Sequence, residues 1–151
     1  MQISPNGVAF IRRHEGLKLH AYLDSAGVPT IGYGTTHYPG GAAVKLRDVV
    51  TAAQAETYFQ FDLQPLVLTV ARMVTHALTQ NQFDALVSFA YNEGAPRLKG
   101  STLLRYVNAG NFPAAADQFT LWDKAHVDGR LVEVPGLLTR RQDERALFLG
   151  D

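Results

Sequence analysis

Beyond residue 50, three threonines that stand three places ahead of a glutamine are read as helix starts: Thr51 with Gln54, Thr79 with Gln82, and Thr139 with Gln142. Each pair has the form of a capping box. The threonine hydroxyl accepts from the amide three residues on, and the glutamine reaches back to the threonine amide. Each pair is followed by apolar residues at helical spacing, of which Phe83, Leu86, Val87 and Phe89 are read as core. The pattern therefore predicts three helix starts and commits most of the chain to helix. Ser4-Pro5 is a fourth start, with serine as N-cap and proline at the first helical position, and Gly16 ends that helix. Further helices are expected over Thr102 to Asn108 and over Phe112 to Trp122, the latter capped by Asn111.

Only residues from about 19 to 38 break the helical pattern. "AYLDS", "VPTIGYG" and "TTHYPGG" carry the aromatic, β-branched and turn residues of short antiparallel strands, with "DSAGVP" as the hairpin turn. The segment "HVDGRLVEVPG" is read as an exposed loop. The fold class is thus α+β: mostly helical, with a small antiparallel sheet. A sheet of this size cannot bury enough surface alone and must pack on helices. One domain over 1–151 is expected, with a β-rich lobe over 17–50. A helical lobe over 51–151 is joined by the N-terminal helix over 4–15, and the cleft lies between the lobes.

Composition enters chiefly through what it excludes. Fourteen basic and fourteen acidic side chains cancel, so no global field draws the chain to nucleic acid. The absence of cysteine removes disulfides, thiol catalysis and thiolate metal sites. His14, His20, His37, His76 and His126 show no ligand spacing, and no metal site is expected. There is no phosphate loop or nucleophile elbow, and hence no expected cofactor. No window reaches the apolar length of a membrane helix, and the N-terminus lacks the features of a signal peptide. A monomer is the expected state, because no strong exposed apolar stripe is evident.

The chemistry concentrates in "RRHEGLKLHAYLDSAGVPTIGYGTTH". Glu15 falls at the C-terminal end of the first helix, where the dipole is negative and disfavours a carboxylate. A carboxylic acid that keeps its proton is what a general acid requires. Asp24 and Thr30 flank the hairpin turn, so folding brings them side by side. A carboxylate and a hydroxyl so placed can hold and orient one water molecule. An acid facing such a pair is the equipment for breaking a glycosidic bond. Gly32 and Gly34 are expected to clear one strand face for a ligand. Each residue also has an ordinary explanation, as a surface glutamate, a turn-capping aspartate or a strand threonine. The case rests on their arrangement.

That arrangement resembles a known family. "EGLKLHAYLDSAGVPTIGYGTTH" fits the pattern E-G-x(7)-D-x(5)-T-I-G-x-G of the tailed-phage lysozymes, or endolysins, of glycoside hydrolase family 24, with every fixed position present. "QNQFDALVSFAYNEG", "STLLRYVNAGNFPAAADQFTLWDKA" and "PGLLTRRQDERALFL" continue the likeness in order over nearly the whole chain. The resemblance implies a lysozyme-like fold and a muramidase cutting the β-1,4 bond between N-acetylmuramic acid and N-acetylglucosamine in bacterial peptidoglycan. It implies Glu15 as general acid, Asp24 as stabiliser of the transition state and helper of water, Thr30 as the residue that positions water, and inversion at the anomeric carbon. It further implies an enzyme that waits in the host cytoplasm until a holin opens the inner membrane.

Gly32, Tyr33, Asn92, Arg140 and Arg141 are the candidate substrate-binding residues. One of the two arginines, in the first turn of the closing helix, is expected to approach Glu15. Asn92 either bonds a sugar or caps its helix near Gly94, and the lone Trp122 is read as core. Two rival functions stay open. A lytic transglycosylase needs the glutamate but expels water, and the Asp24–Thr30 pair argues against it. An inactive wall-binding module has no chemical reason to keep all three residues.

Overall fold

The computed structural model describes residues 1–150. Helix α1 (Pro5–Glu15) begins as expected. The Ser4 hydroxyl accepts from the Gly7 amide at 3.0 Å, Pro5 occupies the first turn, and the Gly16 amide closes the end on the Arg12 carbonyl. Strands β1 (Lys18–Leu23) and β2 (Pro29–Gly32) pair antiparallel, with Tyr22 opposite Thr30 and an irregularity between Lys18 and Tyr22. The expected third strand is reduced to single bridges, Ile31 with Thr35 and His37 with Ala43.

Helix α2 (Ala52–Met73) joins the two lobes. Its first turns place Ala55 in a small core with Ile31, Val44 and Val50. Its later turns send Phe59, Leu63, Val67 and Val70 into the main core. The helix therefore belongs to both lobes rather than to the helical one alone. Helix α3 (Gln80–Glu93) runs through the centre, and every residue from Gln82 to Ala90 is buried. Around it pack α4 (Ala95–Lys99), α5 (Thr102–Asn108), α6 (Phe112–Gln118) with a 3₁₀ turn over Phe119–Leu121, and α7 (Pro135–Leu149). Trp122 is partly buried and meets the Phe89 ring edge-on. Each fully buried Phe or Leu of this core contributes roughly 1.5–3 kcal/mol of transfer free energy.

Two expectations fail. Thr51 and Thr79 are capping boxes with both reciprocal bonds present, but Thr139 is not. Helix α7 has already begun at Pro135, and the Thr139 hydroxyl donates to the Pro135 carbonyl one turn back. The T-x-x-Q spacing carries no information on whether a helix is already under way. The segment read as a loop is a hairpin, with β3 (Lys124–Val127) paired to β4 (Arg130–Glu133). Asp128 and Gly129 both take positive φ, the geometry of a two-residue hairpin turn.

Helix α1 is seated on α3 through a buried carboxylate. Asp84 accepts from the Ser4 amide at 3.0 Å, from the Ser4 hydroxyl and from the Gln80 side chain at 2.8 Å. Contact is close enough that a Cβ on Gly7 would stand 2.6 Å from Asp84 Cγ. Replacing a helical glycine by alanine normally gains about 1 kcal/mol in propensity. Here Gly7→Ala is expected to lower stability by about 1–3 kcal/mol through overpacking, read as a drop in the urea midpoint with unchanged slope.

Candidate active site

Glu15 is the last residue of α1 and is met by a cation from the far end of the chain. Arg140 Nη1 lies 2.5 Å from Glu15 Oε1, with the two side chains 6% and 16% exposed. The other Glu15 oxygen faces Gly34: a Cβ there would come within 3.1 Å of Oε2, and Gly34 has φ +87°. Only glycine accepts that conformation readily and leaves room for the carboxyl. Tyr91 closes the floor, its hydroxyl donating to the Tyr33 carbonyl at 2.6 Å. Burial first, then the Glu15 and Asp62 carboxyls, push that hydroxyl well above the usual phenol range, so it remains a donor.

Asp24 holds its own turn. Its Oδ1 accepts from the Ala26 and Val28 amides, each at 2.9 Å, and both bonds fall on that one oxygen. The Thr30 hydroxyl gives its proton to the Val28 carbonyl at 2.9 Å, which leaves its oxygen as an acceptor. Tyr22 stands opposite Thr30 and feels the charges of both acids. Burial raises its hydroxyl, and the Glu15 and Asp24 charges both raise it further. Ser25, beside Asp24, and Glu15 line one cleft of about 320 Å³ with Asn92, Leu137 and Arg140. A second cleft of about 390 Å³ shares Ser25, Asn92, Ala125 and Leu137 with it, so the groove continues past the β3–β4 hairpin. A larger cavity, about 590 Å³ between α1 and α2, is lined by apolar and amide side chains with Arg12 and offers no carboxylate.

The candidate binding residues divide. Arg140 is the arginine that reaches Glu15, from the second turn of α7 rather than the first. Arg141 is fully buried against Glu144, Glu93 and Asn92 and is closed to a ligand. Gly32 does not open a strand face. The backbone has turned by Gly34, and the vacant side of Gly32 meets the Ala55 Cβ at 3.2 Å. The Tyr33 ring packs on Phe59 between the two cores, which makes it a packing residue. Asn92 is exposed in the groove. It does not end its helix, since Gly94 makes that bond, and its Oδ1 accepts from Arg141 at 2.9 Å. Arg12 is held by Glu56 and so does not address Glu15. His14 lies beside Asp143. Burial, then the Arg140 charge, hold its imidazole below the ordinary value.

Sequence reasoning missed Tyr22, Tyr91, Ser88 and Glu144. The last two hold Arg140 from behind: its Nε donates to Glu144 Oε1 at 3.1 Å and its Nη2 to the Ser88 carbonyl at 3.2 Å. The prior signal for Ser88 was a polar residue within an apolar run, and for Glu144 its spacing of three and four residues from Arg141 and Arg140. Among the described residues, no group of three or more His, Asp or Glu side chains is placed to hold a metal ion.

Three comparisons bear on this site. The phage lysozyme family model matches residues 12–144. The endolysin of Salmonella phage P22 is 44% identical over 150 residues, covering 99% of each chain. Among solved structures, the endolysin of Escherichia coli O157:H7 phage FAHEc1 superposes with a TM-score of 0.92 at 43% identity, over 99% of this chain and 94% of that one. The muramidase domain of SpmX from Asticaccaulis excentricus gives 0.85 at 39% identity, over 98% and 97%.

Behind Tyr91, Asp62 of α2 is half-buried and accepts only a long bond from Thr35, at 3.3 Å. Burial pushes its carboxyl above the ordinary aspartate value. The native state then takes up the proton at higher pH than the unfolded chain. Ionised Asp62 costs stability above that window and nothing below it. Asp62→Asn is expected to stabilise the protein at neutral pH, with the gain vanishing below about pH 4, near the unfolded aspartate value. Urea unfolding across that range measures it.

Proposed function

The chain belongs to the phage lysozyme family and is a peptidoglycan-hydrolysing lysozyme, and from that premise we propose that it is a muramidase with Glu15 as its general acid. The bond cut is the β-1,4 link between N-acetylmuramic acid and N-acetylglucosamine. The name of the SpmX muramidase domain, similar over nearly the whole chain, supports that choice of bond. The observation that carries the reading is the placement of Glu15, at a helix end, in a cleft, with one oxygen on Arg140 and the other against the bare Gly34.

The steps follow from these groups. Glu15 gives its proton to the glycosidic oxygen as the bond to the anomeric carbon breaks. The carboxylate left behind is stabilised by Arg140, whose guanidinium is already in contact. Asp24 stabilises the positive charge that develops on the sugar ring. A water donating to the Thr30 oxygen and to Asp24 Oδ2 attacks the anomeric carbon from the opposite face. Its proton passes to Asp24, and solvent exchange then returns Asp24 to a carboxylate and Glu15 to an acid. Tyr91, fixed to the Tyr33 carbonyl, keeps the floor of the site rigid. The endolysin relatives support a role in lysis of the bacterial host. Access to the wall through a holin-type lesion is part of the same reading.

The test is clearing of purified peptidoglycan by the wild-type chain and by Glu15→Gln, with products analysed by mass. The substitution keeps shape and removes the transferable proton, and is expected to lower the rate at least 100-fold. Hydrated reducing muramic ends support hydrolysis. Anhydro ends would assign a transglycosylase, and equal clearing by both proteins would remove Glu15 from the mechanism.

A further inference from the structure

The carboxylate most thoroughly sealed around the site is one the proposed mechanism does not use. Glu144 is 0% exposed. Its Oε1 accepts from Arg140 Nε at 3.1 Å, from Arg141 Nη2 at 3.0 Å and from the Ser88 hydroxyl at 2.7 Å, and its Oε2 lies 2.7 Å from Arg141 Nε. Charges alternate outward from the cleft through Glu15, Arg140, Glu144, Arg141 and Glu93 to Arg97. Replacing buried ion pairs by apolar groups of similar volume is often neutral or stabilising, so stability alone does not account for this row.

We propose that Glu144 is a positioning residue whose carboxylate shares the Arg140 guanidinium with Glu15, so that Arg140 orients Glu15 without holding it permanently ionised. The inference rests on Glu15 being the general acid. Arg140 has three sets of donors, and each has one address. Nη1 points to Glu15, Nε to Glu144, and Nη2 to the Ser88 carbonyl and hydroxyl. Ser88 and the rest of the fork keep the aim of Arg140 when the Glu144 charge is removed. What changes is the balance of charge. One carboxylate then faces the guanidinium where two did before.

Other groups face the pair, and of these Arg141 also loses a carboxylate partner when the Glu144 charge is removed. His14 of α1 and Arg141 act on Arg140, and Asp143 faces His14. Tyr91 of α3 and Tyr22 of β1 face Glu15. Glu93 and Asn92 of α3 hold Arg141.

The experiment is a carboxyl carbon-13 NMR titration of Glu15 in the full chain and in Glu144→Gln, beside the pH profile of kcat on peptidoglycan. The Glu15 midpoint is expected to fall by roughly one pH unit, and the basic limb of kcat to move down with it. A midpoint that stays or rises in a folded variant overturns the proposal and leaves Glu144 a structural residue. If Glu144→Gln does not fold, Glu144→Asp carries the test. It keeps the charge but is one methylene short of spanning both guanidinium groups, and a smaller shift in the same direction is expected. An unmoved midpoint there likewise overturns the proposal. The NMR midpoint reports on Glu144 even if Glu15→Gln retains activity, so failure of the acid assignment and failure of this inference are separable.

Discussion

The contact between Glu15 and Arg140 is the interaction on which the rest of the site depends. A carboxylate at a helix C-terminus is repelled by the last carbonyls. Here the cation that answers it comes from α7, 125 residues away. For the contact to form, α1 and α7 must both pack on α3. Each does so through polar anchors as well as apolar ones. Asp84 fastens the start of α1, and Ser88 receives Arg140 on the same central helix. Phe10 and Ile11 fill the space between. Helix α1 is thus fixed at both ends, and its last side chain is presented at the cleft by a rigid element rather than by a loop.

The hairpin wall of the cleft, lined by Ser25, has a different construction. Asp24 and Thr30 are held by bonds within a single hairpin, all spanning four residues or fewer. The β-lobe core behind that hairpin is small, and it leans on the first turns of α2. Tyr33 takes part in both cores, and α2 runs from one to the other. The two walls are therefore joined by packing along one helix. The groove between them extends past Asn92 to the β3–β4 hairpin.

What the sequence made legible was local. Ser4-Pro5, Thr51 with Gln54, and Thr79 with Gln82 act within one turn of backbone, and the structure contains all three. The spacing of Glu15, Asp24 and Thr30 is also local, confined to one helix end and one hairpin, and the roles read from it belong to the proposed function. Thr139 misled because the same spacing occurs inside a helix begun at Pro135. The Asp128-Gly129 turn carried a hairpin signal, but its strands are four residues each and exposed almost throughout, too short for a decisive apolar alternation. Gly32 was misread because two glycines in one strand need not share a face once the backbone turns. Which arginine meets Glu15, and that Glu144 and Ser88 stand behind it, depends on how α7 is rotated against α3. No local spacing encodes that rotation.

In the proposed mechanism, Asp24 and Thr30 hold a water on the face of the sugar opposite Glu15. The stereochemistry of the first product tests it most directly. Proton NMR of the newly formed reducing end, recorded before mutarotation during cleavage of a short peptidoglycan-derived oligosaccharide, reads the anomer. Direct attack by water on a β-linked substrate inverts the anomeric carbon, and the account predicts the α-anomer first. A β-anomer appearing first would contradict it, and would make Asp24 a nucleophile rather than the partner of a water.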